Sequence, residues 1–407
     1  MRSRHTPRPW LALALLLALP AARADFSIPG FELVHTVPLA TTLQTPDLRA
    51  PGPVWMQLFD NARHSIDIEQ FYAVDHPGSV MEQVIKHLQA AGERGVKIRF
   101  LLEDKGQKLS DPATLARLRA IPNLSFAVLP YAQLTGNGII HAKFMVVDGT
   151  RAFVGSQNFD WRSMEHIHET GMLISEPQMA AQVQAIFNQD WAAEQALSQH
   201  QPVPQPAQGA PAPRTGNYLV ASPARFNPPG VGDSEQELPQ LLAEAKHEVR
   251  VQLLDYAPLS YGPDHTRPYY PVIDNALRAA AARGVLVKLM VSDWNTAEPE
   301  LDYLKSLAVL PNVQVRIVTI PEAPTGFIPY ARVTHSKTME IDGQVAWVGT
   351  SNWLGGYMDK SRNLEVVMRN PAMATRVGQL HAQLWDSPYA HPLQLDKTYP
   401  TPHPGTP

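Results

Sequence analysis

The sequence contains no cysteine among its 407 residues. Disulfide bonds and a lipid anchor attached through cysteine are therefore excluded, and the fold must be stable without covalent cross-links. Charged residues make up only 18% of the chain, and its 38 acidic side chains outnumber the 34 lysines and arginines, which gives a formal net charge of −4. The chain thus lacks the broad positive charge of a protein that coats nucleic acid. Any contact with a polyanion must be local.

Long apolar runs are also scarce, and the longest stands at the N-terminus. Residues 1–24 combine Arg2, Arg4 and Arg8 with the apolar stretch from Trp10 to Leu19 and end in an A-x-A cleavage pattern. This arrangement predicts a secretory signal peptide, whereas an uncleaved membrane anchor would need a longer apolar span. The segment carries four arginines and no acidic residue, so its removal changes the formal charge from −4 to −8. The sequence predicts an exported protein, either periplasmic or secreted.

The rest of the chain consists of two similar halves. The segment Arg94 to Ile98 is echoed by Arg283 to Lys288, each time after an alanine-rich helical pattern. Helices alternate with β-rich runs, which favours an α/β fold in each half, and 407 residues can bury two cores. The predicted organisation is a signal peptide at 1–24, a first lobe at 25–198, a Pro/Gln/Ala-rich linker at 199–215, a second lobe at 216–391 and a flexible tail at 392–407.

A short motif occurs once in each half, and both copies are followed by a Gly-[Ser/Thr]-x-Asn turn. The motif copies are His141-x-Lys143-x4-Asp148 and His335-x-Lys337-x4-Asp342, and the turns are Gly155-Ser156-Gln157-Asn158 and Gly349-Thr350-Ser351-Asn352. The histidine precedes the asparagine by 17 positions in both copies. Two copies with matched downstream turns indicate a shared chemical role.

Both motif copies lie in apolar, β-branched runs, Ile139 to Val147 and Val333 to Ile341, which predict strands. Side chains alternate along a strand, so the histidine and the lysine of each copy share one face. The aspartates have the opposite parity, and each is followed by glycine, which is a strong hairpin signal. We therefore interpret Asp148 and Asp342 as structural residues of the turns.

The two matched turns and two downstream glutamates complete the candidate site. A Gly-[Ser/Thr]-x-Asn turn can direct backbone N–H groups, a hydroxyl and an amide at one point, which suits phosphate oxygens and makes Asn158 and Asn352 candidate ligands. Glu169 follows His141 by 28 residues, and Glu365 follows its histidine by 30. A buried carboxylate that accepts a ring N–H fixes the histidine tautomer, so we expect these glutamates to orient the two histidines.

These residues resemble the phospholipase D superfamily, whose signature is the duplicated His-x-Lys-x4-Asp element. From about Phe31 to His391 the chain is also similar to the lysosomal phospholipase D3/D4 branch. The segments that carry this similarity are Asn158-x-Asp160-x-Arg162-Ser163, Ile328-Pro329-Tyr330-Ala331-Arg332-Val333-x-His335, Gly349-Thr350-Ser351-Asn352-Trp353 and Trp385-Asp386-Ser387-Pro388-Tyr389. That branch is animal, glycosylated and disulfide-bonded, whereas this chain has no cysteine and a bacterial type of leader. We interpret it as a bacterial exported relative.

The resemblance implies two lobes, each a mixed β-sheet flanked by helices, related by a pseudo-twofold axis around one shared active site. One histidine attacks phosphorus to form a phosphohistidine, and the other protonates the leaving oxygen. We take His141 as the attacking residue because the family more often uses the N-terminal copy. Lysine and asparagine side chains supply the positive field that other phosphoryl-transfer sites obtain from magnesium, so no cofactor and no metal is predicted. The pair His166 and His168 lacks a third ligand at a familiar zinc spacing.

Neighbouring polar and aromatic residues allow two interpretations each. Asp160 and Arg162 could take part in catalysis or form an ion pair that braces the loop. Trp161 and Trp353 could line a substrate channel or pack in the core.

The sequence predicts a metal-independent phosphodiesterase but leaves its substrate open. Resemblance to the D3/D4 branch implies 5′ exonuclease action on single-stranded nucleic acid, whereas superfamily membership equally allows phospholipid hydrolysis or transphosphatidylation. A lipid substrate would add a peripheral membrane contact, and no obligate protein partner is evident. The alternative from another class is a catalytically idle phosphodiester-binding module.

Overall fold

The computed structural model describes residues 25–207, 213–262 and 266–406, and the predicted signal peptide at 1–24 lies outside the described residues. These residues form two lobes, and each lobe contains a mixed β-sheet flanked by helices. The predicted α/β fold class is thereby confirmed. Within the described ranges, no helix has both the length and the apolar character to span a bilayer.

The first lobe contains an eight-stranded sheet and a separate two-stranded sheet. Its strands are β1 (Ser27–Ile28), β2 (Phe31–Thr36), β3 (Ser65–Gln70), β4 (Ala73–Val74), β5 (Lys97–Glu103), β6 (Leu124–Leu129), β7 (Phe144–Val147), β8 (Arg151–Gly155), β9 (Phe159–Asp160) and β10 (Glu169–Ile174). Its helices are α1 (Pro51–Asn61), α2 (Val80–Glu93), α3 (Pro112–Arg119), α4 (Ala132–Thr135), α5 (Trp161–Glu165) and α6 (Pro177–Ser198).

The second lobe contains a nine-stranded sheet. Its strands are β11 (Asn217–Ser222), β12 (Gly232–Asp233), β13 (Glu248–Gln252), β14 (Leu286–Ser292), β15 (Val313–Val318), β16 (Thr338–Ile341), β17 (Val345–Gly349), β18 (Asn363–Met368) and β19 (Ala390–Pro392). Its helices are α7 (Ser234–Glu244), α8 (Pro271–Ala282), α9 (Glu300–Ala308) and α10 (Pro371–Trp385). The described part of the 199–215 linker contains no helix or strand.

The two large sheets have the same central topology. The order β10-β8-β7-β3-β5-β6 in the first lobe matches β18-β17-β16-β13-β14-β15 in the second. In each lobe three strands run parallel, and the hairpin that follows the motif pairs with them in antiparallel orientation. One apolar cluster contains residues of both lobes, such as Phe144, Ile186, Val348 and Val377. This shared core fixes the lobes relative to each other.

The Asp-Gly hairpins have the predicted geometry. The φ angles are +51° and +65° at Asp148 and Gly149, and +54° and +68° at Asp342 and Gly343. Two successive positive φ values match a two-residue type I′ turn, which aspartate and glycine adopt at low cost. The turn places β8 directly beside β7, and β17 directly beside β16.

Each of these aspartates also ties its turn to the start of a parallel strand. The carboxylate of Asp148 accepts the backbone N–H groups of residues 63, 64 and 65 at 2.9, 2.7 and 2.9 Å. Asp342 makes the equivalent three bonds with residues 246–248. Burial alone would raise the pKa of the Asp148 carboxyl, but the three N–H donors outweigh burial and lower it.

We expect Asp148→Ala to lower the free energy of unfolding by about 1–3 kcal/mol, because three backbone donors lose their acceptor. A lowered folded-state pKa means that this stabilisation is present above the unfolded pKa and is lost as the pH falls through the folded value. The difference between variant and wild type should therefore shrink on acidification. Urea unfolding at pH 7 and pH 3 measures it, with the exposed Asp396→Ala as control. Equal stabilities at pH 7 would contradict this account.

The predicted flexible tail at 392–407 packs against the second lobe over its described residues. The backbone N–H of Leu393 donates to Val315 O at 2.9 Å, and Pro404 O accepts the N–H of Tyr330 at 2.7 Å. Leu393 and Tyr399 pack on the apolar cluster of this lobe. Proline-rich composition indicated solvation, but these two apolar side chains give the segment a binding surface.

Candidate active site

The two histidine segments leave their own sheets and bond to the opposite lobe. The predicted strands at 139–147 and 333–341 are shorter than expected, since β7 begins at 144 and β16 at 338. The N–H groups of His141 and Ala142 donate to Arg362 O at 3.0 and 2.8 Å. In the same way, the N–H groups of His335 and Ser336 donate to His168 O at 2.9 and 3.0 Å. These crossed bonds bring the two motif copies together and are pseudo-symmetric.

A buried carboxylate of the first lobe holds the imidazole of His335. Its Nδ1 lies 2.8 Å from Oε2 of Glu169, and the hydroxyl of Ser163 donates to Oε1 of the same glutamate at 2.8 Å. Burial raises the pKa of Glu169 to about 7, although the charge of Lys337 opposes this shift. Because Nδ1–H can donate to the carboxylate, Nε2 of His335 is the nitrogen left for chemistry.

An amide of the second lobe holds the imidazole of His141. Its Nδ1 lies 3.1 Å from Oδ1 of Asn363. The Nδ2 group of Asn363 donates to Tyr357 O at 2.9 Å, and Oδ1 also accepts the hydroxyl of Thr350 at 2.9 Å. These contacts fix the amide orientation, so its oxygen faces the ring and requires a proton on Nδ1. Nε2 of His141 is therefore the reactive nitrogen here as well.

Glu365 does not occupy the position that the sequence analysis expected. Its carboxylate accepts the hydroxyls of Ser234 and Ser351, and the residue against His141 is Asn363. The reason is register: Glu365 pairs with Gly349 in β17, and its counterpart Gly171 pairs with Gly155 in β8. Glu365 thus corresponds to Gly171, and Glu169 corresponds to Asn363.

Both lysines are buried beside the histidines. The Nζ of Lys143 donates to His141 O, and that of Lys337 donates to His335 O at 2.7 Å. Burial lowers the pKa of Lys337 to about 7, with Glu169 and Asp255 opposing the shift. Burial and the charge of Lys337 also hold the pKa of Lys143 well below its usual 10.5. The site therefore holds two amines beside the imidazoles in a region that water barely reaches, and an anionic ligand there would favour their protonated, cationic forms.

The histidines share this electrostatic environment. Burial, followed by the charges of Lys143 and Lys337, lowers the pKa of His141 well below 6.5, and protonation of His335 lowers it further. Burial and the same two lysines lower the pKa of His335. The crossed backbone bonds of the two histidine segments and the shared influence of both lysines place the two imidazoles at the interface between the lobes.

The two turn asparagines occupy equivalent positions in the two lobes. Asn158 lies three residues after the end of β8, and Asn352 lies three residues after the end of β17. Both side chains are buried. A buried amide can donate its N–H to a phosphate oxygen. We retain both residues as candidate phosphate ligands.

Two aromatic rings stand beside His141, whereas among the residues that the structure describes no ring contact is made by the imidazole of His335. The ring of Tyr357 lies 4.6 Å from the imidazole of His141 in an edge arrangement, and that of Phe71 lies 5.8 Å away. Tyr261 continues this wall outward, with its ring 6.2 Å from Tyr357. The position equivalent to Tyr357 in the first lobe is Ser163, five residues after the turn asparagine in both copies. We call Phe71, Tyr357 and Tyr261 the aromatic wall.

Asp160 and Arg162 form an ion pair that braces the site. Asp160 accepts the hydroxyl of Tyr72 at 2.7 Å and lies 2.9 Å from Arg162 Nη2, whose Nη1 donates to Pro329 O in the second lobe at 2.9 Å. Trp353 is fully buried against Trp347, with ring centroids 6.0 Å apart. These contacts favour the structural interpretation of the ion pair and of Trp353.

The ring of Trp161 is half-buried and contacts the ring of His166 at 5.3 Å. His168 Nδ1 instead lies 2.9 Å from Gln252 Nε2. Within the part of the chain that the structure describes, no three His, Asp or Glu side chains form a group that could hold a metal ion.

Three residues at the site were not predicted from the sequence: Asn363, Tyr357 and Phe71. A signal for Asn363 was present, because it follows His335 by 28 residues, the same separation that relates Glu169 to His141. The choice of Glu365 rested on residue type instead of spacing. No local pattern identified Phe71, which reaches the site only through the fold.

Two buried imidazoles, two buried lysines and two buried asparagines from pseudo-symmetric lobes form the candidate active site. The family described as "Cardiolipin synthase, PLD-like domain" matches residues 55–191 and 238–385. The chain belongs to this PLD-like family, which confirms the resemblance, and it is a phosphodiesterase. The phosphohistidine mechanism is general to the family.

Similar proteins include both lipid and nucleic-acid enzymes by name. Phospholipase D Z of Dictyostelium discoideum is 31% identical over 89% of this chain and 91% of that protein. The 5'-3' exonuclease PLD4 of Mus musculus is 29% identical over 91% of this chain and 80% of that protein. The phosphatidylserine synthase structure from Haemophilus influenzae has a TM-score of 0.57 at 11% identity, covering 84% of this chain and 85% of that one, which shows the shared fold.

Proposed function

We propose that the protein is an exported, metal-independent exonuclease that cleaves single-stranded nucleic acid from its 5′ end. The aromatic wall carries this proposal, because it stands directly beside a candidate catalytic imidazole. Every nucleobase has a flat face that can stack on such rings, and stacking supports binding without sequence preference. The wall and the local lysines suit a short single strand in a protein whose formal net charge is negative.

In the proposed mechanism the phosphodiester sits between the two imidazoles. Lys143, Lys337, Asn158 and Asn352 bind its non-bridging oxygens and stabilise the charge that develops there. One histidine forms a bond to phosphorus through Nε2, and the other donates a proton to the leaving oxygen. The second histidine then takes a proton from water, which displaces the first histidine from phosphorus. Asp148 and Asp342 hold the hairpins and do not touch substrate.

Phospholipid hydrolysis or head-group exchange is the second candidate function. It is favoured by the similarity to phospholipase D Z, which covers nine-tenths of both chains. The same site chemistry applies, because the reacting group is again a phosphodiester. Half-exposed Tyr261 and exposed Tyr330 could then contact a membrane surface.

A direct comparison of substrates tests both functions. The protein without residues 1–24 is incubated with 5′-labelled single-stranded DNA and with phosphatidylcholine vesicles, each in the presence of EDTA. Release of mononucleotides supports the nuclease, whereas release of phosphatidic acid supports the lipid enzyme. The double variant His141→Ala/His335→Ala serves as the inactive control. Loss of all activity in EDTA, with recovery on addition of a divalent metal, would contradict the metal-free mechanism.

The lowered histidine pKa values predict an acidic pH optimum. One histidine must be neutral to attack, and the other must be protonated to act as the acid. Because both pKa values lie below 6.5, the protonated fraction of the acid falls as the pH rises above its pKa. We expect kcat/KM to be bell-shaped, with its maximum below about pH 6.5 and a roughly tenfold fall per pH unit on the alkaline side.

The profile is measured with bis(p-nitrophenyl) phosphate between pH 4 and 9 at constant ionic strength. The measured quantity is the release of the first p-nitrophenol from the diester. Circular dichroism at each pH serves as the control for folding. A maximum at or above pH 8 would show that the free enzyme does not have the lowered pKa values described here.

A further inference from the structure

The two histidines have chemically different partners, although the lobes are pseudo-symmetric. Glu169 and Asn363 are equivalent by sheet register and by their common 28-residue separation from a motif histidine. Each crosses to the other lobe, so the carboxylate meets His335 at 2.8 Å and the amide meets His141 at 3.1 Å. A symmetric phosphodiester site has no need of this difference. The reaction itself is unsymmetric, because one histidine attacks phosphorus and the other transfers protons. A difference between their partners suits these unequal roles.

We propose, building on the proposed function, that His335 is the nucleophile and that His141 is the acid, with Asn363 as its positioning residue. This is the reverse of the order that the family resemblance suggested. In the first step Nε2 of His335 forms a bond to phosphorus. The bond from phosphorus to the leaving oxygen breaks, and that oxygen takes its electron pair and the Nε2 proton of His141. In the second step a water oxygen bonds to phosphorus and gives a proton to His141, and the P–N pair returns to His335.

The carboxylate belongs beside the nucleophile because of the charge of the intermediate. An imidazole that carries phosphorus on Nε2 and hydrogen on Nδ1 is cationic, and it remains so until water attacks. Glu169 can neutralise that charge through the Nδ1–H bond, and Ser163 holds the carboxylate in place at 2.8 Å. A neutral amide at this position would stabilise the intermediate far less.

The amide belongs beside the acid for the opposite reason. The acid must release its proton to a poorly stabilised oxygen, and a carboxylate partner would hold that proton on the ring. Asn363 orients the ring without adding negative charge, because Tyr357 O and the Thr350 hydroxyl fix its amide. The rings of Tyr357 and Phe71 stand next to His141, the proposed acid. The leaving group therefore lies on the side of the aromatic wall.

Single variants with an activated substrate separate the two roles. The leaving p-nitrophenolate of bis(p-nitrophenyl) phosphate needs little protonation, so His141→Ala should still release a burst close to one equivalent of p-nitrophenol. It should then stall as a phosphoenzyme, because the base of the second step is missing. His335→Ala should give no burst. A burst from His335→Ala, or none from His141→Ala while the wild type turns over, overturns the assignment.

Two further measurements keep the test independent of the folding of these variants. Wild type quenched in alkali during turnover of a ³²P-labelled diester should carry its label on the peptide with His335, and label on the peptide with His141 would overturn the proposal.

Asn363→Asp should raise the alkaline limb of the kcat/KM profile by about one pH unit, because the new carboxylate stabilises protonated His141. An unmoved limb would show that Asn363 has no positioning role. A wild type without any diesterase activity would instead contradict the proposed function itself.

Discussion

Lys143→Met is expected to be more stable than the wild type and at least about 100-fold less active. Lys143 is almost completely buried, and its Nζ donates to His141 O. Burial and the charge of Lys337 outweigh the attraction of Glu169, so the pKa of Lys143 lies well below 10.5 in the folded protein. The unfolded chain binds the proton more tightly, which destabilises the fold at neutral pH. Methionine fills a similar volume and removes this cost, and we expect a gain of about 1–3 kcal/mol.

The same substitution removes an amine that donates to phosphate oxygens in the proposed mechanism. Loss of one preorganised donor to a transition-state oxygen typically lowers kcat by about 10²–10³-fold. Thermal unfolding and turnover of bis(p-nitrophenyl) phosphate measure the two effects on one preparation. The stability advantage of the variant should shrink as the pH rises from the lowered folded pKa towards 10.4, because the unfolded lysine then loses its proton as well.

Lys97→Met provides the matched control, since this lysine is exposed at the start of β5. We expect its free energy of unfolding to stay within about 0.5 kcal/mol of the wild type and its turnover to stay within about twofold. A Lys143→Met protein that is less stable than the wild type would mean that the lysine supports the fold. If the variant kept full activity, Lys143 would have no role in binding the phosphate.

Opposed effects of this kind explain why sequence reasoning located the centre of the site. Buried lysines and histidines are costly, so their repetition at fixed spacing, His141 with Lys143 and His335 with Lys337, indicated chemistry. The Asp-Gly turns could also be predicted from the sequence, because type I′ geometry depends on local residue type. The duplicated pattern of helices and strands likewise predicted two lobes of one fold class.

Features that depend on contacts between the lobes could not be predicted in this way. The strands around the histidines are shorter than their β-branched sequences indicated, because the N–H groups at 141, 142, 335 and 336 bond across the lobe interface. The partner of each imidazole lies in the other half of the chain, which no local pattern shows. The identity of the partner of His141 is different, because the 28-residue spacing pointed to Asn363 and Glu365 was chosen by residue type. Tertiary contacts here overrode local propensity.

Asp190→Ala is expected to destabilise the protein by about 3–5 kcal/mol, because it leaves a buried guanidinium without its counter-ion. Arg362 is fully buried at the lobe interface, and its Nε and Nη2 donate to the two carboxylate oxygens of Asp190 at 2.6 and 2.8 Å. Nη1 donates to Ser222 O at 3.0 Å. No sequence pattern predicts this pair, because its two members are 172 residues apart.

The buried pair also acts on the active site through the main chain. Arg362 O accepts the N–H groups of both His141 and Ala142, so movement of Arg362 would displace a candidate catalytic residue. We expect the Asp190→Ala variant to lose activity at temperatures well below the midpoint of its unfolding. Guanidinium unfolding followed by tryptophan fluorescence, with turnover measured at several temperatures, tests both expectations.

Two comparisons separate loss of the buried charge pair from a general effect of substitution. Glu244→Ala breaks partly exposed ion pairs with Arg369 and Arg214, and we expect it to cost less than about 1 kcal/mol. The double variant Asp190→Leu/Arg362→Met replaces both charges with apolar side chains, and it should recover most of the stability because no unpaired charge remains. If Asp190→Ala were no more destabilising than Glu244→Ala, the pair would contribute little to joining the lobes. If the double variant recovered stability without activity, the Arg362 side chain would be needed to place the carbonyl that holds His141.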